Sequence, residues 1–141
     1  MATYNKFQAF VEALAEKTHN LGSDTLKVYL TNATPDAAAD AVFADLAEIT
    51  PGNGYTAGGN VATQTSSSQT GGVYKLVLAD PATWTAAGGS IGPFRYAVLY
   101  NSTTASGNLI GWWDYGTSIT LGAGDTFAVD FDPSTGVLTL Q

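Results

Sequence analysis

Phe94-Arg95-Tyr96-Ala97-Val98-Leu99-Tyr100 is the stretch on which the fold turns. Successive side chains of a strand point to opposite faces, so Phe94, Tyr96, Val98 and Tyr100 are expected on one face and Arg95, Ala97 and Leu99 on the other. Both faces carry apolar residues. A strand greasy on both sides is buried on both sides, which predicts a central position in a sheet. Downstream, Leu109–Tyr115, Ser118–Leu121, Phe127–Phe131 and Val137–Leu140 read as further strands. Gly/Asn/Ser/Asp clusters separate them at the spacing typical of sandwiches and barrels.

Upstream, Val73–Leu78 is a strand closed by Asp80-Pro81, and Trp84 sits in a short segment before Gly88-Gly89. Residues 51–72 are dense in Gly, Asn, Thr and Ser and predict a long loop, interrupted by a strand at Val61–Thr65. Leu26, Val28 and Leu30 alternate with Lys27 and Tyr29, a strand with one buried face. Between them, Thr34-Pro35-Asp36 has the chemistry of a helix start, with a short Ala-rich helix expected over Ala37–Leu46.

The amino-terminal segment carries Phe7, Phe10, Val11 and Leu14 at i, i+3, i+4 and i+7, an amphipathic helix with Thr3 or Asn5 as cap and Asn20 or Gly22 as end. The expected organisation is one domain: an N-terminal helical segment at 1–22 and a β-sandwich at 23–141. The fold class is mainly β, and strand number and turn frequency favour a jelly-roll-like sandwich.

Bulk composition narrows the function. The 141 residues suit one domain. Apolar residues make up 45% and charged residues only 12%, about half the usual quarter. Much of the exterior must therefore be Thr, Ser, Asn, Gly and Ala, which pack against a neighbour without desolvating charge. The net charge is −7, with five cations in all. That argues against nucleic acid and anionic membranes, which recruit clustered cations. No apolar run approaches a membrane span, and Met1–Phe10 lacks the pattern of a secretory signal, so synthesis in the cytoplasm is expected. The sequons at Asn32 and Asn101 are then chance matches.

Candidate chemistry is sparse. His19 is the sole histidine and there is no Cys, so a zinc set cannot be assembled from the usual ligands. At the expected helix end, His19 reads as a residue that favours the dipole. No Ser lies in a nucleophile elbow. Glu48, Asp114, Asp130 and Asp132 are the carboxylates near strands that a glycosidase pair would draw on. Asp114 follows Trp112 and Trp113, which are expected on opposite faces of one strand. Asp132-Pro133-Ser134-Thr135-Gly136 fails the calcium-loop pattern in detail and reads as a hairpin turn. No cofactor or metal is expected, and no catalysis. Seven Tyr, six Phe and three Trp exceed what one small core needs, and Tyr and Trp favour interfaces. Phe7, Phe10, Tyr55, Asn60, Trp112 and Trp113 are the expected protein-contact residues.

Several stretches also carry a family likeness: Gly52-Asn53-Gly54-Tyr55-Thr56-Ala57-Gly58-Gly59, Tyr74–Pro81, Ile91–Tyr100 and Gly111-Trp112-Trp113-Asp114-Tyr115-Gly116, with Tyr4–Phe7 through His19–Gly22 at the start. Over nearly its whole length the chain resembles small virion structural proteins of tailed bacteriophages, and among them the capsid cement (decoration) proteins of Bordetella-type podoviruses. The resemblance implies a jelly roll that sits as a homodimer on the capsid exterior and clamps neighbouring major capsid protein subunits. It supplies no catalytic residues. The alternative expectation is a tail or fibre module that binds a host receptor or glycan, through Trp112, Trp113 and Asp114.

Overall fold

The computed structural model describes residues 2–141; Met1, the first residue of the expected helical segment, lies outside them. The chain is mainly β, with antiparallel sheets and little helix. In order the elements are β1 (Tyr4–Lys6), α1 (Gln8–Ala15), β2 (Leu26–Thr31), β3 (Asn60–Val61), β4 (Gln64–Thr70), β5 (Val73–Leu78), β6 (Trp84–Thr85), β7 (Ile91–Asn101), β8 (Leu109–Leu121), β9 (Thr126–Phe127) and β10 (Leu138–Leu140). They form a five-stranded sheet β1-β8-β7-β2-β3, a three-stranded sheet β10-β5-β4 and a β6-β9 pair.

β7 occupies the middle of the large sheet, as its two apolar faces require. Its alternation is interrupted, however. The register with β8 shifts between Phe94 and Tyr96, where Tyr96 faces Asp114 and Phe94 faces Ile119. Phe94 consequently joins Ala97 and Leu99 in one core cluster, while Val98 and Tyr100 belong to the other. A bulge re-aims the side chains that follow it, so the expected shared face of Phe94, Val98 and Tyr100 does not form.

The main cluster joins Leu26, Val28 and Leu30 of the large sheet to Leu76, Leu78 and Leu138 of the small one. A second cluster of Phe7, Tyr29, Leu46, Val98, Tyr100 and Leu109 packs on the opposite face. Burying both faces removes several large side chains from water, each contributing about 1.5–3 kcal/mol.

Five sequence expectations need correction. The 1–22 segment opens with strand β1, which pairs with β8 (Tyr4 opposite Trp113, Lys6 opposite Gly111). The helix then spans only Gln8–Ala15, with Phe7 at its N-cap and no side-chain cap from Thr3 or Asn5. It stops where Lys17 turns left-handed (φ 68°) and Thr18 N–H donates to Ala13 O, before Asn20 and Gly22. Of its stripe, Phe7 and Phe10 are buried but Val11 is exposed.

Residues 37–46 make isolated turns instead of a helix. Asp36 Oδ1 accepts the Ala38 and Ala39 N–H groups, and Asp45 Oδ2 accepts those of Ala41 and Val42. Carboxylates that capture nearby N–H groups compete with the helical ladder, and the Ala-rich segment has little apolar surface to tip the balance. Only Phe43–Asp45 closes a 3-10 turn.

Most of the expected 51–72 loop is ordered into β3 and β4. Gln64–Thr70 pairs along β5, and Gly71 (φ 60°) and Gly72 (φ 85°) form the two-residue turn between them. Two successive left-handed residues match the twist of a tight hairpin, and glycine adopts them without a Cβ clash. Finally, Leu109–Tyr115 and Ser118–Leu121 are one thirteen-residue strand, β8, carried through a bulge at Gly116 (φ 101°). The expected strand Phe127–Phe131 shortens to Thr126–Phe127, paired with β6.

Candidate functional site

Of the six expected contact residues, three are withdrawn from the surface. Phe7 packs on Trp112 with ring centroids 4.5 Å apart, Phe10 packs on His19 at 5.2 Å, and both are buried. Tyr55 is also buried. Its hydroxyl donates to Glu48 Oε1 (2.7 Å) and accepts from Leu30 N–H (3.0 Å). Glu48 Oε1 also accepts from Gly58 N–H at 2.6 Å, and Tyr100 Oη donates to Gly58 O at 2.9 Å. Burial, with Glu48 beside it, pushes the Tyr55 phenol well above its ordinary pKa. Tyr55 and Glu48 thus tie the 52–58 turns to β2. The aromatic and the glycines that drew attention in the sequence stabilise a loop.

Asn60 stays partly exposed on the short edge strand β3, with Nδ2 donating to Ala82 O. Trp112 and Trp113 are half-buried and point to opposite faces: Trp112 joins the Phe7 cluster, Trp113 the main cluster. No double-Trp platform exists. Asp114 is held by Arg95 in a bidentate pair (2.8 and 2.9 Å) and also accepts the Gly116 N–H. The Arg95 guanidinium keeps the Asp114 carboxyl below the usual range.

His19 is not the cationic helix-end residue expected. It lies beyond α1, 5% exposed, with Nδ1 against Asn101 Nδ2 at 3.1 Å and Nε2 without a partner. Burial lowers its pKa, opposed in part by Asp24. The Asp132–Gly136 turn forms, with Ser134 N–H and Oγ–H donating to Asp132 Oδ1 and Gly136 left-handed at φ 76°. It is not a hairpin, since β9 pairs with β6 and β10 with β5. Among the described residues no group of three or more His, Asp or Glu side chains is placed to hold a metal ion. No helix among them is long and apolar enough to cross a membrane.

Two surface features remain. The first is a pair of free strand edges. β4 pairs with β5 on one side only, and its sequence Gln64-Thr65-Ser66-Ser67-Ser68-Gln69-Thr70 holds no charge. The outer side of β8 is covered by β1 only at Gly111–Trp113, leaving Tyr115–Leu121 unpaired there, again without a charge. Sheet edges are usually guarded by Lys, Pro or inward charges. These two carry only a local bulge each.

The second feature is a cleft of about 350 Å³ between the large sheet and the irregular chain 128–136. Tyr4 of β1, Arg95 and Ala97 of β7, and Trp113 and Tyr115 of β8 line the sheet side. Phe127, Phe131 and the carboxylates Asp130 and Asp132 line the other. Tyr4 rests over Gly111, where a Cβ would collide with its ring. Its hydroxyl is buried without a hydrogen-bond partner, and burial raises its pKa. The sequence signalled this cleft only through Trp113 and the carboxylates Asp130 and Asp132. Tyr4, Phe127 and Phe131 come from remote segments and no motif connects them. Comparison of the chain with protein-family models, with curated proteins and with solved structures gives no match.

Proposed function

We propose that this chain is a virion structural subunit of a tailed phage: a capsid cement protein, made in the host cytoplasm, that binds the capsid exterior as a homodimer. There it strengthens contacts between major capsid protein subunits, without catalysis. The observation that carries an adhesive role is the pair of uncharged strand edges without a pairing neighbour, Gln64–Thr70 and Tyr115–Leu121. An edge of this kind offers a row of main-chain donors and acceptors to a partner strand, and no ion must be stripped of water as they pair. The capsid assignment comes from the resemblance of the Gly52–Gly59, Tyr74–Pro81, Ile91–Tyr100 and Gly111–Gly116 stretches. Two antiparallel sheets that share one core support the jelly-roll-like sandwich this role implies.

Function then follows from linkage. A clip that binds only the assembled lattice stabilises it by mass action, and many weak contacts on an ordered shell add to strong retention. The test is the composition of purified particles. A cement protein is recovered in stoichiometric proportion to the major capsid protein, and a few copies per particle would refute the assignment. The edge is tested by Ser68→Lys with Thr70→Lys, both exposed on β4. The variant is expected to keep the wild-type melting temperature and to lose capsid binding. Retained binding would remove β4 from the interface.

A further inference from the structure

We infer that the cleft beneath residues 128–136 receives a basic side chain, lysine or arginine, presented by a protein partner. The inference rests on the adhesive reading above for the kind of partner, and on the cleft's own chemistry for what enters it. Aromatic rings from both walls converge there: Trp113 lies 5.5 Å from Tyr4 and 5.4 Å from Phe131, and Tyr115 meets Phe127 edge-on at 5.8 Å. The faces of such rings attract a cation, and the aliphatic stem of a long basic side chain packs against the same walls.

The charge balance has the matching sign. Arg95 is the cation of the cleft, and Asp114 already holds it in the only ion pair among the described residues. Asp130 and Asp132 line the same cleft with no cationic partner. An anionic ligand would meet two carboxylates there, whereas a cation would neutralise them. Tyr4 adds its ring to the sheet-side wall of the same cleft. The volume of about 350 Å³ lies at the small end of ligand pockets, about 300–1,000 Å³, enough for one side chain.

The experiment titrates the full chain with the tripeptides Gly-Arg-Gly and Gly-Lys-Gly, with Gly-norleucine-Gly as the uncharged control and glucose as the sugar control. Backbone amide shifts and Trp fluorescence are read. Millimolar arginine or lysine peptide is expected to shift amides at 95–97, 113–115 and 127–132, with norleucine and glucose silent. Asp130→Asn is expected to weaken binding by about threefold, the scale of one partly screened charge pair. Silence toward both basic peptides, shifts outside the cleft, equal response to norleucine, or a response to glucose alone would each overturn the inference. None of these outcomes depends on virion composition, so failure here leaves the capsid assignment standing, and the reverse holds too.

Discussion

Replacing Asn101 by Ala tests how the N-terminal region is anchored to the sheet. Asn101 ends β7 and is fully buried. Its Nδ2 donates to Asp24 Oδ2 at 2.6 Å and lies 3.1 Å from His19 Nδ1, and its Oδ1 accepts the Thr103 N–H at 3.0 Å. In Asn101→Ala these partners fare differently. Thr103 is exposed and finds water, and Asp24 keeps its bond from Asn20 N–H. His19 has no such recourse: it is buried and its Nε2 already lacks a partner, so both ring nitrogens would be orphaned. An unsatisfied buried polar group costs about 1–3 kcal/mol, and the lost hydrogen bond to a charged group adds a comparable amount, so about 2–4 kcal/mol of destabilisation is expected. Urea unfolding followed by Trp fluorescence measures it. His19→Phe removes the orphaned nitrogens and keeps an aromatic ring against Phe10. The double variant should then lose about 1–2 kcal/mol less than the sum of the singles. A cost below about 0.5 kcal/mol for Asn101→Ala, the level of an ordinary surface change, or strict additivity with His19→Phe, would refute the reasoning.

Four further outcomes are expected. The His19 pKa in the folded chain lies below its ordinary 6.5, so as pH falls the unfolded chain takes up the proton first. Stability is full above about 6.5 and declines as pH falls below it, and His19→Phe should flatten that decline in urea midpoints between about pH 7.5 and 5. Gly111→Ala places a Cβ against the Tyr4 ring and 2.6 Å from Asn5 O; β1 should lift from β8, at a cost of about 1–3 kcal/mol, with faster amide exchange at Asn5 and Lys6. Trp84 is 1% exposed with its Nε1 unpartnered, so Trp84→Phe should cost far less than the about 3–5 kcal/mol of Trp84→Ala in the same urea assay. Asp132 should titrate at about 2, because the Ser134 hydroxyl and N–H both donate to its carboxylate; Ser134→Ala should raise the midpoint seen by NMR.

Much of the β architecture was legible where side chains alternate or crowd. β2 and β5 follow directly from Leu26–Leu30 and Val73–Leu78, because apolar pattern and strand period coincide there, and β7 follows from the apolar residues on both faces of Phe94–Tyr100 although its alternation breaks between Phe94 and Tyr96. β4 was not legible. Gln64–Thr70 has no apolar alternation to reveal a pleat, and it is a strand because β5 supplies a ladder and Gly71-Gly72 supplies the turn. Residues 37–46 failed in the opposite sense: their composition suits a helix, but Asp36 and Asp45 spend their carboxylates on local N–H groups.

By itself, the sequence determined that this protein is mainly β, short of charge, acidic, and poor in groups that move protons or bind metals. Those are properties of residue type and local period, which survive any arrangement of the chain. Only the tertiary structure decided which aromatics are core and which are surface. Phe7, Phe10 and Tyr55 went inside because β1, the 52–58 turns and Glu48 close over them. Tyr4, Trp113, Phe127 and Phe131 came together because β1 pairs with β8 and the chain after β9 runs over that part of the sheet. Contacts between segments more than a hundred residues apart depend on strand order and register, and a register shift such as that between Phe94 and Tyr96 redirects the side chains beyond it.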